Sequence, residues 1–379
     1  MAVDLIGFGI VFPILPLYAR RFHASSATAT GLVAAFAAAS FVFSPVWGRL
    51  SDRFGRKPIL LLSLVGTCAG SLITGLAGGI ALLYVGRVVD GISGASVSVA
   101  QASTSDIASP AQRARLFGLL GAAFGLGFVA GPAIGALAAL AGPRVPFFVA
   151  AALAGVNAVV GLVRLPETHP PGSRAAPGSW SRSPLAALAG GRGVGALLTV
   201  AFGALVAFSA FEATFALFGH RRVGLGVGSS AAVFAVVGLV IVGVQGGLVH
   251  PFVRRAGEEA TLRWGLAIVA VGLLGLAFVH SWLALAPALL ALTVGEGLAQ
   301  TTMSSALAGR ADPVRRGEAL GAQQSAGGLA RVIGPVLGGV LFERMGPGAP
   351  YVAGAAVVAV VWVVFQVAVS ESRRSPVKD

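Results

Sequence analysis

GRLSDRFGRKPIL, residues 48–60, is a polar, cationic stretch set between two apolar runs, each long enough to span a membrane. Arg49, Arg53, Arg56 and Lys57 crowd four positive charges into it, with Asp52 as the one carboxylate. Gly48 and Gly55 give the backbone freedom to leave one helix and turn before the next. Pro58 suits the first turn of the following helix, where its missing N–H leaves nothing unpaired. Under the positive-inside rule this charge pattern reads as a cytoplasmic loop.

Composition agrees. Of 379 residues 56% are hydrophobic and only 11% charged, and mean hydropathy is +0.87, more apolar surface than a water-soluble core hides. The formal charge of +13 would fit nucleic acid, but the arginines fall singly and in pairs between apolar runs, so they carry topology and no nucleic-acid face. Cys68, the one cysteine, lies inside an apolar run and reads as packing. The opening MAVDLIGFGIVFPILPLYARRF has no cationic leader and reads as a mature first helix.

Runs of about 20 apolar residues are expected at 2–19, 30–47, 59–77, 80–102, 115–138 and 146–163, then at 194–218, 229–250, 262–280, 283–307, 317–342 and 350–370. The fold class is therefore an all-α polytopic membrane protein of twelve spans in two six-helix halves, residues 1–165 and 193–379. Between them, 166–192 is rich in Pro, Gly, Ser and Arg and reads as a cytoplasmic linker. With 48–58 inside, nineteen of the 27 Arg and Lys fall in inside segments and six outside. Both termini are then cytoplasmic, in a plasma (inner) membrane. The halves repeat: Gly131–Pro132 and Gly334–Pro335 are 203 residues apart, and Gly55 maps onto Gly257 in HPFVRRAGEEAT, 250–261. The same offset maps Val194 about ten residues before Met1, so Met1 is expected to be an internal start.

The 48–60 stretch resembles the loop between helices 2 and 3 of the major facilitator superfamily, with Gly48, Leu50, Ser51, Asp52, Arg53, Gly55, Arg56 and Lys57 on its pattern. DLIGFGIVFPILPLY, from Asp4, resembles the first helix of that family's drug:proton antiporters, and YVGRVVDGISGAS resembles its helix 4 motif through Arg87 and Gly91. GLLGAAFGLGFVAGPAIG resembles the antiporter signature of helix 5, with Gly118, Gly127, Gly131, Pro132 and Gly135 in place and Ala136 where the pattern ends in glycine. The resemblance implies alternating access, with a site near mid-membrane between two parallel repeats. It also implies that Asp106 pairs with Arg56, and that Asp52 lies against the start of the eleventh helix, where its dipole favours an acid. Arg115 opens the fifth span beside this motif. Tetracycline exporters carry a carboxylate at about Gly70, where this chain has none. That sets a metal-chelate mechanism relying on that acid in doubt.

Ionisable residues within apolar runs face a cavity or a partner, since a charge at the bilayer centre costs about 2.5–3.5 kcal/mol. Asp4, Arg87, Asp90, Glu212 and Glu296 are the candidates for proton coupling. Asp90 stands at i+3 from Arg87 and either takes part or merely neutralises it. Gln101, Phe124, Phe211, Gln245 and Gln300 are candidates to line a substrate cavity, although aromatics in membrane helices more often face lipid. No histidine has metal-ligand spacing, and no nucleotide loop or hydrolytic motif is present, so no cofactor, metal or enzyme activity is expected. The expected partners are a small-molecule substrate, protons and the lipid bilayer, with the chain a monomer. Proton-coupled efflux of drugs or other amphipathic molecules is the leading function. A facilitator or importer of a sugar or other metabolite, and a transport-inactive receptor or scaffold, remain alternatives.

Overall fold

The computed structural model describes residues 2–94, 96–107, 110–168, 193–311 and 316–374. They form helices throughout: α1 Ala2–Val11, α2 Leu15–Ala19, α3 Ser26–Phe54, α4 Arg56–Leu76, α5 Ile80–Ser93, α6 Ser96–Ile107, α7 Pro110–Leu140 and α8 Val145–Arg164. The rest are α9 Val194–Val223, α10 Val227–Gly243, a five-residue π-helical turn Val244–Leu248, α11 Val249–Ala256, α12 Glu258–Ala277, α13 Trp282–Arg310, α14 Arg316–Met345 and α15 Ala349–Arg374. Among the described residues nine helices are long and apolar enough to cross a membrane, ten if the bent pair Ala2–Val11 and Leu15–Phe22 counts as one span. The expected fourth and fifth spans are present as α5 with α6 and as α7. Of the expected linker, 169–192 lies outside the described residues.

Contacts divide the chain into two compact units, Met1–Gly178 with Gly224–Gly238, and Ser179–Val223 with Leu239–Asp379. Each is built the same way. In the first unit α1 packs on α7 and α8, and α4 packs on α5 and α8. In the second α9 packs on α14 and α15, and α12 packs on α13 and α15. These are the same span pairs, first with fifth and sixth, third with fourth and sixth, so the repeat read in sequence is a repeat of packing.

Small residues make those contacts close, as membrane helices without a hydrophobic drive between them require. A Cβ on Gly131 would stand 2.6 Å from Gly9 Cα and 2.7 Å from the Ile6 carbonyl oxygen, and one on Gly127 2.6 Å from Leu5 Cβ. In the second unit a Cβ on Gly334 would meet the Val206 oxygen at 2.7 Å. The helix 5 glycines are thus the groove that seats the first helix. α7 runs through Pro132 as helix.

The 48–60 stretch departs from expectation. It is no loop: α3 continues through Pro45 to Phe54, α4 starts at Arg56, and Gly55 alone turns the chain. Its φ of +99° lies where only glycine is unstrained. Polar side chains at a span's end project beyond the hydrocarbon, so hydropathy ends the span before the helix ends. Gly257, with φ of +81°, makes the same one-residue turn between α11 and α12.

Candidate functional site

In the first unit α4 and α5 cross so tightly that a Cβ on Gly70 would meet Asp90 Cβ and N at 2.8 Å and the Gly86 oxygen at 2.9 Å. At this crossing Arg87 Nη1 pairs with Asp90 Oδ2 at 2.9 Å, both buried. Arg87 Nη2 donates to Thr74 Oγ1 on α4 at 3.1 Å, and Asp90 also accepts a hydrogen bond from Thr67. Arg87 Nε is buried with no hydrogen-bond partner among the described residues. Asp4, half-buried on α1, is near enough that its charge acts on Asp90. The structure therefore brings Asp4, Arg87 and Asp90 into one group of two carboxylates and one guanidinium.

The Gly55 turn is tied by Arg56. Its Nη1 lies 2.6 Å from Asp52 Oδ1 and donates to Ser51 Oγ at 2.6 Å, and its Nε donates to Asp106 Oδ2 on α6 at 2.9 Å. Arg53 stacks its guanidinium on Phe54, 5.3 Å from the ring centroid. The expected contact of Asp52 at the start of the eleventh span falls at 312–315, outside the described residues. Gly118, Arg115 and Phe124 are helical residues of α7, with side chains outside the described set.

Glu167 was not foreseen. One of its carboxylate oxygens accepts from the Arg56 backbone N–H at 2.8 Å, the other from Lys57 N–H at 3.1 Å. α4 begins with two cations at the positive end of its dipole, and Glu167 supplies both the missing acceptors and the missing negative charge. It lies just past the sixth span in a breaker-rich segment whose composition reads as linker, so no spacing marks it. α12 needs no such helper, since Glu258 and Glu259 stand in its own first turn. There Glu258 accepts from Ser305 Oγ at 2.5 Å, and Glu259 forms an ion pair with Arg310 at the end of α13.

In the second unit α9 carries Glu212, α13 carries Glu296 and α14 carries Arg331. The charges of all three act on one another. Glu296 is 5% exposed, and it has neither an ion pair nor a hydrogen bond among the described residues. Gln245 and Gln300 meet, Nε2 donating to Oε1 at 3.2 Å. Gln101 is half-buried on α6. Phe211, expected at a cavity, is instead packed in the core, its ring 5.6 Å from Phe208 and 5.3 Å from Phe215. Four successive aromatics at helical spacing on α9 close on Tyr351 and bury one another.

Comparison with known proteins follows this geometry. The profile of the Major Facilitator Superfamily matches residues 1–330 and 250–379. The chain is 33% identical over 344 residues to the class C tetracycline resistance protein of Escherichia coli, covering 89% of this chain and 86% of that one. It is 30% identical over 351 residues to multidrug resistance protein 2 of Bacillus subtilis (strain 168), covering 90% and 86%. Among solved structures it resembles the human organic anion transporter MFSD10, with TM-score 0.70, 25% identity and 96% of each chain covered. It shares its fold with the nucleoside transporter NupG at TM-score 0.81 and 12% identity over 97% of each chain.

Proposed function

The chain belongs to the Major Facilitator Superfamily, and on that premise we propose that it exports drugs or similar small amphipathic molecules in exchange for protons by alternating access. The observation that carries this reading is the pair of carboxylates Glu212 and Glu296 set against the single Arg331 within membrane-spanning helices. Such groups cost insertion energy unless they work. A transport-inactive scaffold gains nothing from them. Similarity to tetracycline and multidrug resistance proteins supports export over uptake.

In this reading Asp4, Glu212 or Glu296 takes a proton when substrate leaves and yields it when substrate binds, the two competing for the same negative charge. The turn at Gly55 and its arginine Arg56 seal the cytoplasmic side while the substrate path opens outward. Both termini lie in the cytoplasm, the chain sits in the inner membrane, and one copy suffices. No covalent step is needed.

Everted vesicles test this directly. With lumenal pH followed by a quenchable dye, tetracyclines or lipophilic cations added to acidified vesicles are expected to release protons. Asp4→Asn, Glu212→Gln and Glu296→Gln are compared, and the coupling acid is the one whose loss abolishes release. If no drug moves protons while a sugar or other metabolite crosses without touching the gradient, export is the wrong reading. Binding without flux of any kind would identify a receptor.

A further inference from the structure

The span Val227–Ala256 is not uninterrupted α-helix. At Val244–Leu248 it opens into one π-helical turn, closed where the Val249 N–H donates to the Val244 carbonyl five residues back. Turns of this kind are rare and frequently mark functional sites. This one presents Gln245, Gly246 and Gly247, all exposed, and nothing lies within 4 Å of where a Cβ on either glycine would stand. The turn is braced against α13: a Cβ on Gly297 would stand 2.8 Å from Val244 Cγ1, and Gln245 donates to Gln300. Glu296, buried and unpaired, stands one helical turn before Gln300 and so shares its face.

The chemistry of this group is unspent. Two carboxamides carry four N–H donors and four lone pairs, and their mutual bond uses one of each. Exposed to hydrocarbon, the remainder would go unmet at a cost, so this face looks onto water or a ligand. Glu212 and Arg331 are the other charges acting on Glu296, and the three together sum to one negative charge.

We infer that the π-helical turn of residues 244–248, with Glu296 and Gln300, is the subsite for the polar, cationic end of the substrate. A protonated amine pairs with Glu296, and neighbouring hydroxyl or carbonyl groups pair with Gln245 and Gln300. The substrate class this selects is an amine that also carries hydrogen-bonding groups, as opposed to a bare lipophilic cation. The inference rests on the export reading for its ligand and stands apart from it in its test.

That test is equilibrium binding to the purified full-length chain in detergent. Two probes are used: tetracycline, an amine bearing hydroxyls and carbonyls, and tetraphenylphosphonium, a permanent cation with no hydrogen-bonding group. Gln245→Leu and Gln300→Leu are each expected to weaken tetracycline by about fivefold to tenfold and to leave tetraphenylphosphonium as it was. Glu296→Gln is expected to weaken both. Leucine variants that weaken both probes alike, or neither, overturn the subsite, and so does a wild-type chain that binds no tetracycline. If the binding pattern holds while vesicles show no proton exchange, the subsite stands and the exporter reading falls.

Discussion

Asp90 stands where the crossing of α4 and α5 leaves no room for a side chain on Gly70. Its carboxylate comes from the neighbouring helix to the place where sequence reading found an acid missing. The second unit shows what the same crossing looks like without charge. Two hundred and two residues on, Gly272 abuts Leu292, whose N would lie 2.5 Å from its Cβ, and Leu289 and Leu292 are both buried. Leucines thus hold at the positions of Arg87 and Asp90, so the crossing does not depend on the ion pair. Asp90→Leu alone strands a buried guanidinium and is expected to cost about 3–5 kcal/mol, whereas Arg87→Leu with Asp90→Leu is expected to be close to neutral. Thermal melting of the purified variants in detergent measures both. A stable double variant that no longer transports would place the pair in the transport cycle; one that transports would leave it a structural pair.

At the scale of single elements, the helix start at Arg56 depends on two residues outside it. Removing the Glu167 carboxylate by Glu167→Ala is expected to cost about 1 kcal/mol, as for loss of a helix cap. Gly55→Ala is expected to cost more, because φ of +99° strains an L-residue by about 1–2 kcal/mol and the new methyl would meet Glu167 Oε2 at 2.6 Å. The order of the two melting temperatures checks this, and Gly55→Ala melting above Glu167→Ala would refute it. These elements also mark how far sequence reading reaches. The spans, the break at Ser281 and the Gly–Pro repeat were legible, because length, polarity and spacing are local properties. The helical continuation to Phe54 was not, since polar residues protruding past the hydrocarbon look like a loop. Glu167 and the π-helical turn were illegible too, one masked by breaker-rich composition and the other leaving apolar patterning unaltered. Phe211 was assigned to a cavity because periodicity does not say which face of α9 meets Tyr351.

Over the whole molecule the repeat keeps its packing and reverses its polarity. The first unit starts its third span with cations and joins Arg56 to Asp106 at the end of the fourth. The second starts its ninth span with acids and joins Glu259 to Arg310 at the end of the tenth. Each bond ties the same two spans, so reversal preserves the tie while changing which helix start needs an added carboxylate. Arg310→Glu is expected to lower export in the vesicle assay by setting two acids together. Adding Glu259→Arg is expected to restore it in part, the shortfall being about 0.3–1 kcal/mol for a cation at the positive end of α12. Equal losses in the single and double variants would show that the ion pair is not what matters there.

The π-helical turn has a genetic consequence. Its one surplus residue sits in a span of 30 residues, Val227–Ala256, far longer than the ~20 that crossing requires. An in-frame deletion of a single codon among 244–248 would leave the span long enough to insert and let it close as plain α-helix. The segment after the deletion would then be rotated by about 100° about its axis, one residue's share of a turn. In a resistance selection such alleles would arise among full-length, membrane-inserted losses of function, and single-codon insertions at the same place would restore them.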